Sequence, residues 1–122
     1  MEEINSNEEL IMRILWKLEK GLVRDILAKM DEPKPPYTTV SSIVRLLEKK
    51  GYIGHKAYGK THEYFPLISQ SAYKKYRFNK MVNHFFEGSA SNVLSFMVKE
   101  KKLSEKEVED LKSLINSYDK EK

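Results

Sequence analysis

Four hydroxyl side chains crowd five positions at the head of a helical segment. They are Thr38, Thr39, Ser41 and Ser42 in YTTVSSIVRLLEKKGYI, residues 37–53. Hydroxyls compete with a helix for its own backbone hydrogen bonds, so they are poor helix-interior residues. A cap accounts for one of them, Thr38 or Thr39. Steps of three and four residues put Thr38, Ser41, Ser42, Arg45 and Lys49 on one helix face. Such a face suits nucleic acid. Short hydroxyls allow close approach, donate to phosphate oxygens and bond to base edges, and a threonine methyl can meet a thymine methyl. Arg45 and Lys49 extend the same face toward bases or flanking backbone. Alone, each hydroxyl reads equally well as plain surface; their conjunction with the charge pattern favours the nucleic-acid reading.

Other chemistries find little support. The three histidines are His55, His62 and His84. His55 and His62 fall on opposite strands of an expected hairpin, but two imidazoles without cysteine or a nearby carboxylate pair make an incomplete zinc site, and contacts to phosphate or plain surface are the better readings of the histidines. The five glycines form neither GxGxxG nor GxxxxGK, so no phosphate loop is present. No serine or threonine has a recognisable nucleophile context. Neither an enzyme nor a bound metal or cofactor is expected. Cysteine is absent, which removes disulfides and thiolate ligands and is compatible with the cytosol. The opening MEEINSNEEL is acidic and unlike a signal peptide, and no apolar run approaches the ~20 residues of a membrane span. A cytoplasmic protein is expected.

Net charge is only +4, but it is unevenly distributed. Residues 45–80 hold nine Lys/Arg against Glu48 and Glu63, while both flanks are slightly acidic. A basic centre between near-neutral flanks suggests a local polyanion surface, or a solvated face of a lysine-rich chain.

The elements that must position these residues follow from periodicity. Ser6 and Glu9 have capping-box spacing ahead of a stripe of Leu10, Ile11, Ile14, Leu15 and Leu18, with Gly21 as the stop. A short helix carries Val23, Ile26, Leu27 and Met30. DEPKPP, residues 31–36, cannot continue a helix and is a connecting turn. The third helix buries Val40, Ile43, Val44 and Leu47 and ends at Gly51. Period-two residues then predict a hairpin with Gly59 and Lys60 in the turn and Lys56 opposite Glu63. Helices resume after Pro66, with a second capping box at Ser104 and Glu107. Three helices followed by a hairpin is the order of a winged helix-turn-helix, whose third helix enters the major groove while the hairpin's Lys56 and Lys60 approach phosphates. The predicted fold is mainly α with a small β-hairpin. A winged-helix domain over 1–68 precedes a helical dimerisation domain over 69–122.

The C-terminal half holds more apolar surface than three short helices can bury. Phe78, Met81, Phe85, Phe86, Phe96 and Met97 suit an interface core, or else a fold back onto the winged domain. Tyr73, Tyr76, Phe78 and Phe85 could instead line an effector pocket at a dimer interface, the mark of a ligand-responsive regulator. A winged helix that docks a protein partner is a third reading, which the hydroxyl-and-basic face disfavours.

EELIMRILWKL, VRDIL, YTTVSSIVRLLEKKGYIGHKAYGKTHEYFPLIS, FFEGSASNVLSFMV and KLSEKEVEDLKSLI together resemble the penicillinase repressors of the BlaI/MecI type, over nearly the whole chain. The resemblance implies a homodimeric transcriptional repressor on a dyad-symmetric operator, with Tyr37–Lys50 as the recognition helix and its lead-in. It implies relief by a regulatory protease, downstream of a membrane sensor, that cuts an Asn-Phe bond in the C-terminal helices. The matching bond here is Ser95-Phe96, and the serine departs from that pattern. Copper-responsive relatives use a C-terminal cysteine cluster, which this chain lacks. The expected DNA-binding set is Thr38, Thr39, Ser41, Ser42, Arg45, Lys49, Lys56 and Lys60. The expected dimerisation set is Phe85, Val93, Leu94, Met97, Leu111 and Leu114.

Overall fold

In the computed structural model, which describes residues 1–100, 104–107, 109, 110 and 113, three helices lead into an antiparallel hairpin and helices follow it. These are α1 (Ser6–Leu18), α2 (Val23–Ala28), α3 (Tyr37–Lys49), β1 (Ile53–Tyr58), β2 (Thr61–Pro66), α4 (Gln70–Phe85) and α5 (Ala90–Lys99). The order is that of a winged helix-turn-helix followed by helices, as expected. The chain divides into two compact units, Met1–Lys74 and Lys75–Lys122.

The capping box of α1 lies one residue earlier than Ser6 and Glu9. Asn5 is the cap: its Oδ1 accepts the Glu8 N–H at 2.9 Å, and Glu8 Oε1 accepts the Asn5 N–H at 2.9 Å. The shift has a physical reason. Glu8 points inward, only 1% exposed, and serves a second partner, Lys50 Nζ, at 3.0 and 2.9 Å from its two carboxylate oxygens. Lys50 also donates to the Glu3 carbonyl at 3.1 Å. Glu9 serves other groups, accepting from Arg13 at 2.6 Å and from the Tyr73 hydroxyl at 2.7 Å. The buried stripe is correspondingly rotated. Ile11, Met12, Ile14 and Leu15 are buried, whereas Leu10 is 47% exposed. Gly21 is not the helix stop either. The helix ends at Leu18, Glu19 caps it at φ 70°, and Gly21 pairs with Tyr64 as an isolated antiparallel bridge.

Neither Thr38 nor Thr39 caps α3. Pro36 occupies that position at φ −60°, ψ 147°, and its carbonyl accepts from the Thr39 and Val40 amides at 3.1 and 3.3 Å. Proline presets the extended entry without a side-chain cap. The Lys34 ammonium meanwhile caps the preceding helix, donating to the Leu27 and Ala28 carbonyls at 3.1 and 3.3 Å. Val40, Val44 and Leu47 of α3 are fully buried. Its C-terminus is a Schellman motif: the Gly51 amide bonds to Glu48 O at 3.0 Å and the Tyr52 amide to Leu47 O at 3.0 Å. Gly51 supplies the required positive φ of 85°. Tyr52, now buried against the helix end, donates its hydroxyl to the Glu2 carbonyl.

The hairpin has the expected register, with Lys56 opposite Glu63 and Tyr58 opposite Thr61. Gly59 takes the positive φ of 63° at the tip. Beyond the hairpin, the Trp16 indole donates to Ile68 O at 2.8 Å, and its ring lies 5.5 Å from that of Tyr73.

In the second unit, Gly88 at φ 80° follows α4, and its amide bonds to Val82 O at 3.0 Å. Ser89 caps α5 by accepting the Asn92 N–H at 3.2 Å. Phe86 and Phe96 meet edge to face at 5.8 Å. Ser104 and Glu107 form the expected capping box, with the Glu107 amide donating to Ser104 Oγ at 3.2 Å and Ser104 N–H to Glu107 Oε1 at 3.2 Å.

Two outcomes follow for stability. Replacing Lys50 with Ala strands a buried carboxylate and is expected to cost about 3 kcal/mol, read by urea denaturation. Tyr64 is buried, which raises its hydroxyl pKa above the ordinary tyrosine value; Glu48 adds to the rise and Arg45 opposes it. The folded state thus holds this proton more tightly than the unfolded chain, so stability falls as pH climbs through the alkaline range where tyrosine ionises. Denaturation midpoints measured between about pH 9 and 11 are expected to fall less steeply in Tyr64→Phe than in the parent.

Candidate nucleic-acid interface

Helix α3 presents the expected face to solvent. Thr38, Thr39, Ser42, Arg45 and Lys49 are exposed and Ser41 is half-buried. Two of the hydroxyls also have local work. Ser42 Oγ donates to the Thr38 carbonyl four residues back, at 2.9 Å. Ser41 Oγ accepts from Arg45 Nη2 at 3.2 Å, which holds the guanidinium along the helix. The two adjacent serines thus have different tasks: Ser42 bonds back to the helix backbone and Ser41 steers a cation.

An open groove of about 400 Å³ runs between the helix-turn-helix and the wing. Arg24 from α2, Tyr37, Ser41 and Arg45 from α3, and Lys60, Thr61, His62 and Tyr64 from the hairpin line it. Leu22 and Val23 supply its apolar part. Of the expected set, the groove gathers Ser41, Arg45 and Lys60. Thr38, Thr39, Ser42, Lys49 and Lys56 do not line it; the first four lie along exposed α3 and Lys56 on exposed β1. Arg24, Arg45 and Lys60 are exposed, and none is in a salt bridge among the described residues. Three cations from three elements thus face one concavity, an arrangement that attracts polyanions. Tyr64 stays neutral at physiological pH, its ionisation pushed upward chiefly by burial.

The expected DNA-binding set lacks Arg24, Tyr37, Thr61, His62 and Tyr64, which also line the groove; for the wing histidines the sequence supports either a phosphate contact or plain surface. Hairpin register carries a usable signal for Thr61 and His62, because it sets them beside Lys60. For Arg24 the only signal is its place in the first turn of α2. Lys56 lies over the Tyr58 ring, its Nζ 5.4 Å from the centroid, and faces Glu63 across the strands.

The histidines do not assemble a metal centre: among the described residues no three His, Asp or Glu side chains are grouped to hold an ion. No helix among them is long and apolar enough to cross a membrane.

Of the expected dimerisation residues, Phe85 is 70% exposed, and Val93, Leu94 and Met97 are half-buried. Phe96 and Val98 are exposed on α5. Leu111 and Leu114 lie outside the described residues. Ser95 is exposed beside Phe96.

The chain is similar to known proteins over most of its length. The methicillin resistance regulatory protein MecI of Staphylococcus aureus strain N315 is 26% identical over 115 residues, covering 93% of this chain and 94% of its own. The MecI of Mammaliicoccus sciuri is 26% identical over 119 residues, with the same coverage. The penicillinase repressor of Bacillus licheniformis is 22% identical over 118 residues, covering 95% of this chain and 91% of its own. Residues 4–117 match the penicillinase repressor family. The chain therefore belongs to the penicillinase repressor family, whose members are non-enzymatic, DNA-binding transcriptional repressors.

Proposed function

We propose that two copies of this chain bind a dyad-symmetric operator through α3 and the wing, and that proteolysis in the C-terminal helices ends repression. The carrying observation is the groove in which Arg24, Arg45 and Lys60 converge from α2, α3 and the hairpin. On this reading the exposed N-terminal face of α3 (Thr38, Thr39, Ser42) meets base edges, with Ser41 steering Arg45. Lys49, Lys56 and Lys60 contact phosphates. A two-fold axis sets two recognition helices about one helical turn apart, ~34 Å, which is what a palindromic site requires.

The exposed Phe85 and the apolar positions of α5 supply the dimer surface on this reading. Large exposed aromatics close to half-buried aliphatic residues are the composition of an interface core. The bond matched to the family's cleavage site, Ser95-Phe96, lies inside α5. Its cleavage requires local opening of that helix, and loss of the dimer would then weaken the operator complex by removing bivalency.

The test is binding of the purified chain to duplex from its own promoter region, against a scrambled duplex, across a salt series. Preference for the promoter, a log–log salt slope of several units and saturation at two chains per site are expected. Equal, weak binding to both duplexes would count against operator recognition. Arg45→Ala is expected to weaken promoter binding by ~1–3 kcal/mol with less effect on the scrambled duplex. Phe85→Asp is expected to shift the sedimenting species toward monomer and to lower promoter affinity at nanomolar chain concentrations.

A further inference from the structure

The wing brings two imidazoles face to face. His55 on β1 and His62 on β2 are stacked, with ring centroids 4.2 Å apart and planes inclined by 13°. The Tyr64 ring flanks both, at 5.7 and 6.2 Å. The two histidines nevertheless have different surroundings. His55 Nδ1 is held by the Glu48 carboxylate of α3. His62 lines the cationic groove. The ring anchored by Glu48 thus stacks on the one that lines the groove.

Charged and titratable groups reach this site from every element around it. Arg24 comes from α2, and Tyr37 and Arg45 come from α3 and line the same groove. Glu48 of α3 acts on the far ring, His55. On the hairpin are Lys60 at the tip, Tyr64 in the groove, and Glu63 beside His62 in sequence but paired across the strands with Lys56. A phosphate entering the groove would be the anionic partner on the His62 side.

We propose that His62 is a DNA contact that takes up a proton from solvent as a phosphate enters the groove, so that operator affinity rises as pH falls. The inference rests on the DNA-binding reading above. A neutral imidazole offers one N–H, whereas the imidazolium offers two and makes charge-assisted bonds to phosphate oxygens. Imidazole ordinarily titrates near about 6.5, and a nearby anion favours the charged form. Proton uptake is assigned to His62 and not His55, because the carboxylate partner of His55 is present with or without DNA. At most one proton is taken up per occupied groove, two per dimer. Affinity of the parent thus rises by no more than about tenfold per groove for each unit that the pH falls.

The experiment is fluorescence anisotropy of the full chain on its promoter duplex at pH 6, 7 and 8 and fixed ionic strength, for the parent, His62→Gln and His84→Gln. Calorimetry at pH 7 in two buffers of different ionisation enthalpy counts protons independently. The expected result is tighter binding at pH 6 than at pH 8 with net proton uptake. Both should be reduced in His62→Gln and kept in His84→Gln. Promoter preference and salt dependence with pH-independent affinity would overturn the inference and leave the DNA-binding reading standing. The same pH dependence and proton uptake in His62→Gln would also overturn it, by placing the proton elsewhere. No binding at any pH would overturn both.

Discussion

Two backbone hydrogen bonds tie the wing to the helix-turn-helix. The Gly21 amide donates to Tyr64 O at 2.9 Å and the Tyr64 amide to Gly21 O at 2.8 Å. By strand pairing the hairpin is only a two-stranded ribbon, marginal on its own in water, and the burial of Ile53 and Tyr64 adds to these bonds. With them, the turn before α2 becomes a short third edge, and Arg24 of α2 is brought to the same groove as Lys60 and His62 of the wing. The bridge needs a residue that permits close approach. A Cβ on Gly21 would stand 3.3 Å from the Asp25 Cβ, tighter than ordinary contact. The Asp25 carboxylate is itself engaged, accepting the Leu22 amide at 2.9 Å at the start of α2.

A second constraint orients α3. The buried Glu8–Lys50 pair joins the first turn of α1 to the C-cap of α3, and the Schellman motif turns the chain sharply into Tyr52. Ion pairs of this kind add little net stability compared with an apolar packing, because both charges lose water. Their value here is geometric: Glu8 has one partner at the cap of α1 and one at the C-cap of α3, which ties the start of one helix to the end of the other. Trp16 and Tyr73 extend the same unit to the first turn of α4, through hydrogen bonds to Ile68 and Glu9.

The hydroxyl-rich start of α3 combines local and outward roles. Pro36 makes a side-chain cap unnecessary, so no hydroxyl is consumed in capping. Ser42 returns its proton to the helix, Ser41 orients Arg45, and Thr38 and Thr39 stay on the exposed face. A penicillinase repressor family member needs such a face to be open and rigid at once. Burial of Val40, Val44 and Leu47 on the opposite side provides the rigidity.

Periodicity alone determined the order of helices and hairpin, the burial of Val40, Val44 and Leu47 in α3 (Ile43, expected with them, is only half-buried) and the Lys56–Glu63 register, because each depends on spacing within one local segment. The exposed face carrying Arg45 and Lys49 was legible for the same reason. Spacing did not decide which of two adjacent boxes caps α1. Asn5 and Glu8 take that role because Glu8 also meets Lys50, forty-two residues away. Nor could it show that Pro36 replaces a threonine cap, or that Gly21 forms a strand edge instead of ending a helix. Arg24 escaped notice on the same grounds, and His62 reads from sequence as either a phosphate contact of the wing or plain surface: each looks ordinary in its own segment. Only the packing of α2, α3 and the wing puts them into one groove, since the contacts that unite them join residues far apart in the chain.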